Sequence, residues 1–143
     1  RSNMGLNAAN EKTTTQMLDF VAENLEKEFS VDFKGYSFYS DTDGEIPRYV
    51  MLCDTVSELP LTEKAEFEAA MDRLFRECNE KYDKYRRWGM LREPVVYKLE
   101  NGSYDAYKAS LVAQGRVLNQ IKPVVVINTP ERKEFFFSRI INK

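Results

Sequence analysis

Lys122 stands in the run Asn119-Gln120-Ile121-Lys122-Pro123, two amides and a cation just ahead of the wholly apolar Val124–Ile127. A lysine at the entrance of a buried strand can reach into a cleft shared with another domain and meet phosphate or carboxylate there; the plainer reading is a solvated loop lysine. A second cationic run, Lys81, Lys84, Arg86 and Arg87, alternates with Tyr82, Tyr85 and Trp88. Cations interleaved with aromatic faces suit phosphates and stacked bases, as on an RNA platform. They equally suit a helix C-terminus, where they offset the macrodipole. The helical reading is preferred, because Tyr82 and Tyr85 continue an apolar stripe that begins upstream.

Other chemistries are excluded by what the 143 residues lack. There is no histidine, which removes imidazole acid–base catalysis, Ser-His-Asp triads and His-ligated zinc within this chain. Cys53 and Cys78 form no CxxC and read as two small hydrophobes in a reducing compartment. No GxxxxGK[ST] or GxGxxG cradle is present. Asp41 and Asp43 fall in a turn, and Glu63, Glu66 and Glu68 on a solvated helix face, so no metal site is expected. With 21 Lys plus Arg against 23 Asp plus Glu, the net charge of −2 gives no electrostatic footprint for nucleic acid or an anionic membrane. No apolar run reaches transmembrane length and no signal peptide is visible, so the expected location is cytoplasmic.

The elements that must carry these residues follow from periodicity. Arg1–Asn3, ahead of Met4, are read as a cloning scar, and the polar stretch to Lys12 as a leader. Met17, Leu18, Val21, Leu25 and Phe29 predict a helix over about 13–29, with Thr13, Thr14 or Thr15 as its N-cap. Residues 31–40 predict a strand whose alternation changes phase at Gly35, the place for a bulge. The Asp41–Gly44 turn leads to a second, more apolar strand over Arg48–Asp54, central in a sheet and antiparallel to the first. Phe67, Met71, Leu74, Phe75, Cys78, Tyr82 and Tyr85 predict one long helix over about 62–86, capped by Thr62. A third strand over Pro94–Glu100, a helix over about 103–114 capped by Ser103, a short fourth strand over Val124–Ile127 and a last helix from Asn128–Pro130 complete the chain. The order α-β-β-α-β-α-β-α describes an α+β domain: a small mixed sheet of about four strands covered by helices.

The stretch from Asn79 to Ile127 resembles the C-terminal domain of the Gretchen Hagen acyl-acid amido synthetases, also called the auxin-responsive promoter family. Gly102-Ser103-Tyr104 looks like that family's Gly-Thr-Phe turn into a helix, and Gln120-Ile121-Lys122 like its Gln-aromatic-Lys loop. Asn10-Glu11-Lys12-Thr13 is similar to the Thr-Asp-Lys-Thr hinge that joins the family's large domain to its small one. The likeness runs from about Ala8 through most of the chain, and the order and spacing of the motifs carry it. Three departures stand out, the first that Pro123 follows Lys122 directly where the family has a residue between Lys and Pro. Ile121 replaces the aromatic, and Val124 stands where the family often has Arg after Pro, so an anion contact is missing.

The resemblance implies a division at Lys12, with residues 1–12 as scar and hinge-like leader and 13–143 as a single C-terminal lid of a larger adenylate-forming enzyme. It implies ATP and Mg²⁺ in the full-length enzyme and no cofactor in this piece. The partners would be the enzyme's own N-terminal adenylation domain and its carboxylic acid and amino acid substrates. It also implies a catalytic cation at Lys122, nucleotide contacts from Lys12 and Gln120, and no activity by this piece alone. The alternative from the residues themselves is a free-standing α+β module that binds a protein or a small metabolite.

Overall fold

The fold is drawn from a computed structural model that describes residues 4–9, 11–56, 63–120 and 123–141, without the side chains of Met4 and Gln120. In chain order the elements are β1 (Met4–Leu6), β2 (Thr13–Thr14), α1 (Thr15–Phe29), β3 (Phe33–Asp41), β4 (Arg48–Thr55), α2 (Lys64–Cys78), α3 (Glu80–Arg87), β5 (Val95–Lys98), α4 (Ser103–Ala113) and α5 (Pro130–Phe137). A 3₁₀ turn, Leu118–Gln120, lies between α4 and α5. The domain is α+β, as the periodicity predicts.

The main sheet has the order β3-β4-β5, with β4 antiparallel to β3 and parallel to β5. The β3–β4 register slips between Phe33 and Gly35, the bulge expected from the phase change. The strand in the middle is buried on both faces, which its run of apolar residues requires. Tyr49, Met51 and Cys53 join the larger core, with Leu18 and Leu25 of α1 and Phe67 and Phe75 of α2. Val50 and Leu52 face the other way, into a smaller core with Tyr104 of α4 and Phe136 of α5. Lys98 closes the sheet's end. Its Nζ lies 3.2 Å from Asp54 Oδ1, and Asp54 Oδ2 accepts from Gly102 N–H at 2.8 Å. That pairing fixes the turn that launches α4.

Three expectations are corrected. The long helix over 62–86 is two helices, because Asn79 leaves helical geometry with φ −140° and ψ 103°. Its Oδ1 accepts from the N–H groups of Lys81 and Tyr82 and starts α3, so it acts as an N-cap inside an unbroken apolar stripe. The stripe is core as expected at Phe67, Met71, Leu74 and Phe75, whereas Cys78 is only half-buried. Val124–Ile127 does not become a full fourth strand; it makes one parallel bridge, Val126 with Phe38. Ser103 does not cap α4. Gly102 occupies the cap position at φ 84°, and Ser103 Oγ donates instead to Glu100 O at 2.6 Å. The proposed cap Thr62 lies outside the described residues.

The described part of the leader is packed against the body at Leu6 and Glu11. β1 pairs antiparallel with β2, and Leu6 is 3% exposed and Glu11 2%.

Candidate functional site

Three segments carry the cations that the sequence singles out. The first is the approach to Val124. After α4 ends, Gly115 takes φ 98°, a left-handed turn that glycine adopts without steric cost, and the chain enters the 3₁₀ turn. Beyond Pro123 the backbone is fastened to β3: Phe38 N–H donates to Val125 O at 2.8 Å and Ile127 N–H to Phe38 O at 2.9 Å. Ser37 Oγ donates to Val124 O, and Tyr104 Oη lies 2.8 Å from Ser37 Oγ. The Tyr104 hydroxyl also donates to Leu52 O at 3.3 Å, so the Ser37 and Tyr104 hydroxyls share two protons between the carbonyls of Val124 and Leu52 and each other. Lys122 and Ile121 lie outside the described residues, and Gln120 is placed only by its backbone, at the end of the 3₁₀ turn. The structure therefore gives the foundation of the loop, one residue past Lys122.

Beside that foundation is a cavity of about 100 Å³ lined by Lys34, Tyr36, Tyr104, Tyr107, Lys108 and Pro123, among others. Ligand pockets measure about 300–1,000 Å³, so this one is too small to enclose a nucleotide or an acyl group. Tyr36 donates to Asp19 Oδ1 at 2.8 Å. Burial first and that carboxylate second push its phenol well above the usual range, so it remains a neutral donor.

The second segment surrounds Lys12. This residue is exposed and has φ 52°, a left-handed conformation that costs a side-chain-bearing residue about 1–2 kcal/mol. Its N–H donates to Asn7 Oδ1 at 3.2 Å. Its neighbours are buried. Glu11 Oε2 accepts from Ala8 N–H at 2.8 Å and from Tyr49 Oη, while Oε1 accepts from Ala9 N–H at 2.6 Å. Thr13 Oγ1 lies 2.6 Å from Tyr49 Oη, and Asn79 Nδ2 donates to Thr13 Oγ1 at 2.9 Å and to Glu11 O at 3.1 Å. The sequence gives Glu11 and Asn79 no role beyond their places in the hinge-like run and at the start of the resembling stretch, and it does not single out Tyr49. Only Asn79 carries a local signal, an Asn followed by acidic Glu80 and Asp83, which marks a helix start.

The cationic run at the end of α3 has intramolecular partners at three of its four positions, with Lys84 Nζ 5.5 Å from the centre of the Trp88 ring. Arg86 forks onto Asp72 at 2.8 and 3.2 Å and donates to Leu91 O at 3.1 Å. Arg87 pairs with Asp83 at 3.2 Å, and Tyr82, 1% exposed, donates to Asp72 at 2.9 Å. This is the helix-end reading, with Tyr82 in the core. An open groove of about 660 Å³ beside it is lined by Arg48, Arg86 and Arg92 among others. Arg92 donates to Ile46 O at 2.9 Å and Arg48 faces Asp41 at 3.5 Å. Among the described residues, no three His, Cys, Asp or Glu side chains converge where a metal ion could sit. No described helix is long and apolar enough to cross a membrane.

The model of the GH3 family C-terminal domain matches residues 15–131. Among solved structures, the GH3.15 acyl acid amido synthetase superposes with a TM-score of 0.85 at 15% identity, covering 99% of this chain and 27% of that one. The AtGH3.15 acyl acid amido synthetase in complex with 2,4-DB gives a TM-score of 0.76 at 14% identity, covering 99% of this chain and 26% of that one. At such identities the likeness is one of fold. The chain spans about a quarter of the length of these solved relatives. A search of curated proteins finds no match.

Proposed function

The chain belongs to the GH3 family as a C-terminal domain, and on that premise we propose that it works as the mobile lid of an ATP-dependent acyl-acid amido synthetase, inactive alone. The observation that carries this reading is the superposition of 99% of the chain on 27% of a solved acyl acid amido synthetase. A unit that matches only that fraction belongs with a larger domain, its proposed partner, which would hold the acyl and nucleotide sites. In the proposed sequence a carboxylic acid and ATP give an acyl-adenylate and pyrophosphate, and an amino acid amine then displaces AMP to form the amide. The Mg²⁺ that accompanies ATP is assigned to the larger domain, because the described residues offer it no cluster of ligands. The location proposed for the enzyme is cytoplasmic.

The residues of this chain contribute cations and a rigid frame. Lys122 is assigned the catalytic cation that meets developing negative charge when the lid closes; Lys12 and Gln120 are assigned contacts to the nucleotide. A cation aimed at a leaving phosphate in a closed, dry site is worth a few kcal/mol, on the order of 2–4. Closure also keeps water from the reactive adenylate. The fastening of residues 123–127 to β3 supports this use of the loop, since a cation on an anchored segment moves with the body.

The test is Lys122→Ala in the full-length enzyme. Turnover should fall by about 100-fold, with the melting temperature of the domain unchanged. If the domain unfolds and activity falls only in proportion, Lys122 is structural and the loop reading fails.

A further inference from the structure

We propose that Glu11, Tyr49, Thr13 and Asn79 form a clamp that holds Lys12 in its left-handed conformation, making Tyr49 and Asn79 positioning residues for that lysine. The part of this proposal that concerns use of Lys12 rests on the lid reading above.

Tyr49 Oη donates to Glu11 Oε2, so its one proton is spent there. Thr13 must then donate to Tyr49 Oη, across 2.6 Å. Asn79 Nδ2 donates in turn to Thr13 Oγ1 at 2.9 Å. The result is a chain of three hydrogen bonds, Asn79 to Thr13 to Tyr49 to Glu11, in which every donor points the same way and the last acceptor is a carboxylate. Such chains polarise one another and strengthen, and burial raises their worth further. Glu11 is 2% exposed, Thr13 1%, Tyr49 1% and Asn79 5%.

In sequence Lys12 sits between Glu11, the last acceptor of this chain, and Thr13, its second member. Glu11 on one side is held by its carboxylate and its carbonyl, and Thr13 on the other by its hydroxyl. With both neighbours fixed, Lys12 has φ 52° and remains exposed. Nothing in its own chemistry favours that conformation, so the surroundings impose it. The anchors come from elements far apart in the sequence: Tyr49 from β4, the central strand, and Asn79 from the break between α2 and α3. A cation mounted in this way turns with the whole body.

Limited trypsin digestion of the chain, read by mass spectrometry, tests the clamp without nucleotide or substrate, so failure of the clamp and failure of the lid reading are distinguishable. The Lys12–Thr13 bond is compared with the exposed Arg116–Val117 bond, which lies after α4. Tyr49→Phe removes the middle of the chain and should raise cleavage after Lys12 by about tenfold or more relative to cleavage after Arg116. Asn79→Asp keeps the acceptor that starts α3 but removes both donations, and serves if Tyr49→Phe does not fold; it should give the same selective increase. Equal acceleration at both bonds, or no change at either in a folded variant, overturns the clamp.

Discussion

The ring of Tyr104 occupies the space that a side chain at Gly35 would need. A Cβ built on Gly35 would lie 2.5 Å from Tyr104 Cδ2 and 2.6 Å from Cγ, well inside van der Waals contact. The bulge in β3 thus does more than restore the strand's phase. It presents bare backbone to α4, and the tyrosine that lies on it bonds to Ser37, which in turn holds Val124. The foundation of the Lys122 loop rests on this contact.

Gly35→Ala should therefore destabilise the domain by about 1–3 kcal/mol through overpacking, since the neighbour that must give way is a buried ring held at its hydroxyl. Urea denaturation checks this. A change near zero would mean that Tyr104 shifts freely and does not brace the loop.

Leu74→Ala should cost about 2–5 kcal/mol, because Leu74 is 3% exposed in the larger core against α1 and the sheet. The same denaturation experiment applies. A negligible loss would contradict burial of this stripe.

The distinction between what the sequence reveals and what it conceals follows contact range. The bulge at Gly35 and the central place of β4 are legible because strand alternation and apolar content are local. The break at Asn79 escapes because Met71, Leu74, Phe75 and Tyr82 keep helical phase across it, so the stripe hides the cap. Val124–Ile127 is apolar enough for a strand, yet Pro123 lacks an N–H and only Val126 pairs with β3. The site divides in the same way. Lys12 can be named from its resemblance to a hinge, but its clamp joins residues 36 to 68 positions apart and leaves no periodicity to read.

Both thiols should be inert in the native chain at neutral pH. Burial pushes Cys53 up to about 12, with Lys98 opposing and Asp54 assisting, and it pushes Cys78 up to about 11. An unfolded thiol titrates near 9.0. Between that value and the raised one, the folded chain holds protons that the unfolded chain has lost. The stabilisation is complete below pH 9 and is lost as pH rises through the folded values. Alkylation by iodoacetamide at pH 8 should follow unfolding, with Cys78, the less buried, reacting first. Rapid labelling of Cys53 in the folded chain would contradict its burial.

Under the proposed function this domain completes an amide synthetase and performs neither half-reaction alone. The most direct measurement is ATP–pyrophosphate exchange and amide formation by three preparations: this chain, the larger N-terminal domain proposed as its partner, and the two joined. The expected result is no exchange by this chain and amide formation only when both parts are joined. Clear exchange by this chain alone, or amide formation by the large domain without it, would contradict the claim.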